Sequence, residues 1–265
     1  MSDYRSLFSN ESVACRHVAD VLSFELLGPN LTYASLDAIA QAANASRNDA
    51  SVRALGITIS ANSTAPEAMG ELPERFAHRQ PRGSQGVGPL VEQETIRALR
   101  AFMKPTIAFL HGDVCDVGID IAAVCDLRVA STNLALQDTR ILQGRTASTG
   151  IAYLLPKLIG QSQAMRVLLL GDKLTATETL RINFVHEVVE DAEFDEFRAI
   201  YAERIARMAT RAWEVHKLQV LGQQHLDFES AMTHSLGIRQ THVIHDRVEG
   251  IKAWRERREP EFKGI

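Results

Sequence analysis

A chain of 265 residues, 45% hydrophobic and 23% charged, is ordinary for a globular protein and long enough for a substantial core. Its 33 acids against 29 bases give a net charge of −4. That excludes a general nucleic-acid binder, whose phosphate affinity needs a basic face, and leaves room for a local basic pocket. Cys15, Cys115 and Cys125 are too sparse for a disulfide framework and read as reduced thiols. No apolar run reaches the roughly 20 residues of a membrane span, and the polar start MSDYRSLFSNES lacks a secretory layout. The expectation is a cytoplasmic protein with no membrane and no nucleic-acid partner.

Residues 21–27 read as a strand closed by Gly28, Pro29 and Asn30. Residues 35–45 form an Ala-rich helix, and residues 53–60 a second strand. Residues 73–89, with three Pro, three Gly and three Arg, read as an irregular or mobile loop. Helix resumes over 90–103, where Ile96, Leu99, Phe102 and Met103 make one apolar stripe, and stops at Lys104 and Pro105. Residues 106–110 are a buried-strand run, followed by a sharp turn through HGDVCDVG into a short helix. Short strands follow at 127–130 and 134–136, and from Gly150 the pattern is helical almost to the end. Gly160 and Gly171 mark helix stops, and Phe197, Tyr201, Ile205 and Met208 share one later helix face. Strands alternating with helices indicate an α/β fold. The tail from about residue 210 carries His225, His234, His242, His245 and both Trp, and its apolar faces need a partner surface.

Two strands, 54–60 and 106–110, each run into a small-residue turn leading towards a helix. The first N–H groups of such helices lack intrahelical acceptors and carry partial positive charge. Two of them converging on one point make an oxyanion hole. Strand–turn–helix joints are common, so this pattern also fits plain packing.

KPTIAFLHGDVCDVGIDIAAVCDLRVAS (104–131), APEAMGEL (65–72), LLLGDKLTATETLRINFVHEVV (168–189) and EGIKAWRERREPEFKGI (249–265) together resemble the crotonase superfamily, the enoyl-CoA hydratases and isomerases. The resemblance implies an α/β fold with a crotonase-like ββα spiral core over residues 1–200 and a C-terminal helical oligomerisation region over 201–265. It implies an acyl-CoA, or acyl-carrier, thioester as substrate, with no cofactor beyond the CoA of that substrate. It further implies a homotrimer or dimer of trimers. The thioester carbonyl would sit between the backbone N–H groups of Ala68 and Val117, which stabilise an enolate. Met69, Gly70 and Lys263 would help bind the substrate. Most members have glycine where Val117 stands.

The two glutamates of the hydratases correspond to Asp120 and Arg140. Arginine is permanently cationic and cannot act as a base at neutral pH, so two-glutamate hydration is not the expected reaction. Asp120 is the candidate acid–base group, and Asp138 could substitute for the second glutamate. Arg140 could grip a substrate carboxylate, or close a structural ion pair with Asp120 or Asp138. No base follows the first strand, in LLGPNLTYAS, where relatives commonly place phosphate-binding residues.

Other readings are blander. His111, Asp113, Cys115, Asp116, Asp126 and Cys125 crowd one segment without metal-ligand spacing. Cys115 could be a nucleophile, but a small buried thiol is the plainer reading. His111 reads as a core histidine and His78 as a solvated loop histidine, though some relatives place a catalytic one there. Arg75, Arg79 and Arg82 read as a solvated face. Ser148 and Thr149 are expected to cap the following helix. Two rival functions stay open: a C–C bond hydrolase or decarboxylase on a β-dicarbonyl, and a non-catalytic binding or assembly subunit.

Overall fold

A computed structural model describes residues 4–61, 69–79 and 90–265; the side chains of residues 61 and 77–79 lie outside the description. Its elements, in chain order, are α1 (Tyr4–Phe8), β1 (Val13–Val18), β2 (Val21–Leu26), α2 (Tyr33–Ser46), β3 (Ala54–Ala61) and α3 (Val91–Ala101). Then come β4 (Thr106–Cys115), α4 (Val117–Val124), β5 (Leu127–Ser131), β6 (Ala135–Gln137), α5 (Ile151–Ile159), α6 (Gln161–Met165) and β7 (Leu174–Thr175). The chain finishes with α7 (Ala176–Arg181), β8 (Glu187–Val189), α8 (Phe194–Ala206), α9 (Thr210–Gly222), α10 (Phe228–Thr241) and α11 (Asp246–Glu256).

The sheet's main path runs β1-β2-β3-β4-β5-β8, parallel along that path except for the antiparallel β1–β2 hairpin, and β6, beside β4, pairs antiparallel with β7. β4 is the pivot. Its first half pairs with β5 through Ile107 to Leu110, and its second half pairs with β6 through Asp113 to Cys115. Gly112, at φ +62, lies between the two halves and lets the strand change partners, because a left-handed residue costs glycine little. The expected sharp turn in HGDVC is therefore a continuation of the strand.

The helices α2 to α5 cover one face and enclose the main core, which includes Leu36, Ile57, Leu99, Ile119 and Ile151. Ile107, Phe109 and Val129 meet Phe194, Tyr201 and Ile205 of α8 on the other face. α8 crosses the expected boundary at residue 200. The tail is tied back by Arg53, which donates to the carbonyls of Met208 at 2.7 Å and Phe262 at 2.9 Å.

Every residue of α4 is buried. A Cβ on Gly118 would lie 3.2 Å from Ile59 Cγ2 and 3.2 Å from Val114 Cγ1, so a side chain there would push α4 off β3 and β4. This close seating sets the position of the first turn of α4 beside the carboxyl ends of two parallel strands, where open α/β sheets form their ligand crevices.

Candidate active site

Val117 is the first residue of α4. Its N–H precedes the intrahelical ladder and has no acceptor among the described residues. The residue before it, Asp116, has φ 46 and ψ −109, a conformation that glycine adopts readily and other residues adopt only under strain of about 1–3 kcal/mol. Asp116 stays there because its carboxylate is engaged. Oδ1 accepts from the Thr139 N–H at 2.7 Å and from the Thr139 hydroxyl at 3.0 Å. The negative charge is thereby turned towards Thr139, which explains how an acid can sit next to a proposed oxyanion donor. Ala68, the other expected donor, lies outside the described residues. Met69 beside it is buried, and its carbonyl accepts from the Tyr33 N–H at 2.8 Å, fixing this loop to the start of α2; Gly70 is exposed.

Asp120, one turn into α4, Asp138 and Arg140 form one buried network, each under 5% exposed. Arg140 Nη1 and Nη2 donate to the two Asp120 oxygens at 2.8 and 2.9 Å. Nη2 and Nε also reach Asp138, at 2.6 and 3.0 Å. Arg140 is thus closed by both carboxylates, and its fork is not open to a substrate carboxylate. Burial pushes the Asp120 carboxyl up, against the Arg140 and Thr149 hydrogen bonds that favour its ionised form. The Arg140 guanidinium, though buried, is driven further towards its charged form by the two aspartates.

The Thr149 hydroxyl donates to Asp120 Oδ2 at 2.6 Å. This corrects the expectation of a helix cap: Gly150 is the N-cap of α5, and no side chain caps it. Gln93, on the first turn of α3, donates to the Ser148 carbonyl at 2.7 Å. Glu92, its neighbour in sequence, lies within electrostatic reach of Asp120, Arg145 and Tyr33. Glu92 was not singled out from the sequence, where an acid in a first helical turn reads as a surface complement to the helix dipole. Its Oε2 is buried with no hydrogen-bond partner among the described residues. Burial raises the Glu92 carboxyl above the usual range, its own backbone N–H and Arg145 pull it down, and Asp120 adds to the rise. Tyr33 is also raised, by burial and then by Glu92.

The family profile described as enoyl-CoA hydratase/isomerase matches residues 29–265. The chain belongs to this family. Among curated relatives, (E)-benzylidenesuccinyl-CoA hydratase of Thauera aromatica is 36% identical over 169 residues, 61% of this chain and 63% of the relative. The mitochondrial enoyl-CoA hydratase domain-containing protein 2 of Homo sapiens is 30% identical over 172 residues, 63% of this chain and 59% of the relative. The match therefore spans less than two thirds of the length of either. A probable enoyl-CoA hydratase/isomerase from Mycobacterium abscessus superposes with a TM-score of 0.81 at 27% identity, over 96% of this chain and 99% of that one. The enoyl-CoA hydratase of Bacillus anthracis gives 0.82 at 21% identity, over 96% and 100%, a likeness of fold.

In this enoyl-CoA hydratase/isomerase family member the other reactive-looking groups of residues 111–126 are dispersed. The His111 ring packs on Phe194 of α8 at 5.5 Å. Asp113 pairs with Lys173 at 2.9 Å, and Asp126 with Lys217 at 2.8 Å. All three cysteines are free and buried, and burial pushes the Cys115 thiol up to about 11, which leaves it inert as a nucleophile. Lys263 donates its backbone N–H to Asp246 of α11 at 2.8 Å. Arg75 does not form a loose face: its Nε donates to Asp37 of α2 at 2.6 Å, and its guanidinium lies 4.3 Å from the Phe76 ring centre. The side chains of His78 and Arg79, and all of Arg82, lie outside the described residues.

Proposed function

We propose that this protein is an enzyme of acyl-CoA thioesters that stabilises an enolate without the two-glutamate hydration machinery. The observation that carries the reading is the Val117 N–H at the head of α4, which meets no acceptor among the described residues, beside the buried Asp120–Arg140–Asp138 network. By the family resemblance, the Ala68 N–H would be the second donor to the thioester oxygen. A main-chain donor survives the replacement of glycine by valine, since only the side chain differs. Met69 and Gly70 would border the acyl group, and Lys263 the nucleotide. The aspartates and Arg140 would form a fixed polar wall. Acid–base work by Asp120 would require it to leave at least one of three hydrogen bonds. The β-dicarbonyl alternative drew on two features, the lack of a base after the first strand and an Arg140 free to grip a carboxylate, and the second is weakened because Arg140 donates to Asp120 and Asp138.

The test is thermal and denaturant stability with crotonyl-CoA, (E)-benzylidenesuccinyl-CoA, free CoA and a β-diketone. A ligand at a hundredfold excess over its Kd should add about 2.7 kcal/mol. A gain with either thioester above that with free CoA is the expected result. No gain with any thioester would sink the reading in favour of an assembly subunit.

The reading includes a homotrimer or dimer of trimers in a cytoplasmic setting, which suits three free thiols. Among the described residues no helix is long and apolar enough to cross a membrane. Phe228 is 74% exposed and Trp254 80% exposed on the C-terminal helices, which supports a covering partner. Sedimentation at micromolar concentration should give a trimer or hexamer, and a stable monomer would contradict it.

A further inference from the structure

The first turns of α2, α3 and α4 meet the segment before α5 around one small region. Tyr33 of α2 holds the Met69 carbonyl. Thr95 of α3 donates to the Leu36 carbonyl of α2 at 3.0 Å, locking these two helices together. Gln93 of α3 holds Ser148, and Thr149 holds Asp120 of α4. Glu92, half-buried as a residue, keeps its Oε2 out of solvent within reach of this arrangement. Among the described residues, Asp120 of α4, Arg145 of the segment before α5 and Tyr33 of α2 are the charged or titratable groups that act on it or feel it. A buried carboxylate oxygen without a donor normally costs stability, and such groups persist where chemistry uses them. Asp120 is saturated by Arg140 and Thr149, whereas Glu92 Oε2 accepts from no donor among the described residues.

We propose that Glu92 is the proton-transferring carboxylate of this site, taking a proton from the carbon next to the thioester carbonyl. The proposal rests on the thioester reading above. The Cα–H bond breaks and its proton passes to Glu92 Oε2. The bonding pair becomes the C=C bond of the enolate, and the carbonyl π pair moves onto the oxygen that Val117 N–H faces. Returning the proton reverses the step, so no other reactant is consumed. Burial raises the base, bringing it closer to neutral pH, where general bases work best.

The test is deuterium uptake at carbon 2 of butyryl-CoA and benzylsuccinyl-CoA in heavy water. The full-length chain is used as wild type, E92Q and E92D, with thioester Kd and melting temperature measured alongside. Wild type should exchange, with a rate that rises with pH as Glu92 ionises, on a limb above the ordinary glutamate range. E92Q should bind thioester as wild type does, melt no lower, and lose exchange by about 10²–10⁴-fold. E92D should retain part of the rate on a displaced pH limb. Exchange at the wild-type rate in E92Q overturns the role of Glu92 and leaves the thioester reading intact. Loss of thioester binding in E92Q makes Glu92 structural and also overturns it. A wild type that binds thioester without exchange removes the enolate step, and a wild type that binds none removes the thioester reading and this proposal together.

Discussion

Replacing Arg140 with methionine should lower the unfolding free energy by about 3–5 kcal/mol, the range found when one partner of a buried ion pair is removed. Asp120 is 1% exposed and Asp138 2% exposed, and Arg140 is the cation that joins them. Without it, two carboxylates share one dry space, and the Thr149 hydroxyl is the main remaining donor to Asp120. The loss should depend on pH in a definite direction. Burial already raises the Asp120 carboxyl, and removing Arg140 takes away the largest force opposing that rise. A carboxyl whose folded-state value exceeds its unfolded value binds protons better when folded. The folded state is therefore penalised as pH climbs from the unfolded value, near 3.9, through the raised one. Urea unfolding of R140M at pH 5 and pH 7.5 should show the smaller deficit at pH 5. Changing both aspartates to asparagine in the R140M background should recover much of the loss, because an uncharged network leaves no uncompensated ion. An R140M protein within about 1 kcal/mol of wild type at pH 7.5 would mean that the network contributes little to the fold.

How legible this was in the sequence depended on the kind of signal. The runs LGITIS and TIAFL are continuous and apolar, as strands buried on both faces must be, and they became the central strands β3 and β4. β1 was missed: VACRHV carries Arg and His on an outer, alternately buried strand, and its polarity hides the period. The length of β4 was missed because Gly112 and Asp113 look like a turn until β6 is seen pairing with the far half. At the site, the possible ion pairs of Arg140 could be enumerated, but not that it holds both aspartates at once. Thr149 looked like a cap because it precedes a helix; Gly150, at φ +89, took the cap and freed the hydroxyl for Asp120. Glu92 carried no sequence signal at all. An acid at a helix start is enriched on surfaces for dipole reasons, and only the packing of α2 and α4 around it turns it inward. Patterns within one segment were readable; meanings created by three segments meeting were not.

Val117→Pro isolates the main-chain donor on which the thioester reading depends. Proline is well tolerated at the first position of a helix, where its missing N–H would have had no intrahelical acceptor and its fixed φ suits the entry. Asp116, the residue before it, sits at φ 46 and ψ −109, outside the extended region that a following proline requires, so the backbone at 116 must adjust to accept the ring. The substitution deletes one hydrogen-bond donor from the candidate site, and melting temperature and thioester Kd measured alongside separate that loss from the backbone adjustment at residue 116. If Val117 N–H stabilises the developing oxyanion, α-carbon exchange should fall by about 10²–10³-fold, or 2.7–4 kcal/mol of transition-state stabilisation. The effect should fall mainly on the exchange rate, with the thioester Kd changing much less, because a ground-state carbonyl gains less from a donor than an enolate oxygen does. Val117→Ala supplies the control. It keeps the N–H and widens the space beside it, so it should retain exchange within about tenfold of wild type. Equal rates in the proline and alanine variants would remove the Val117 N–H from the chemistry. A rate lost in both would place the importance of residue 117 in its side-chain packing against the core.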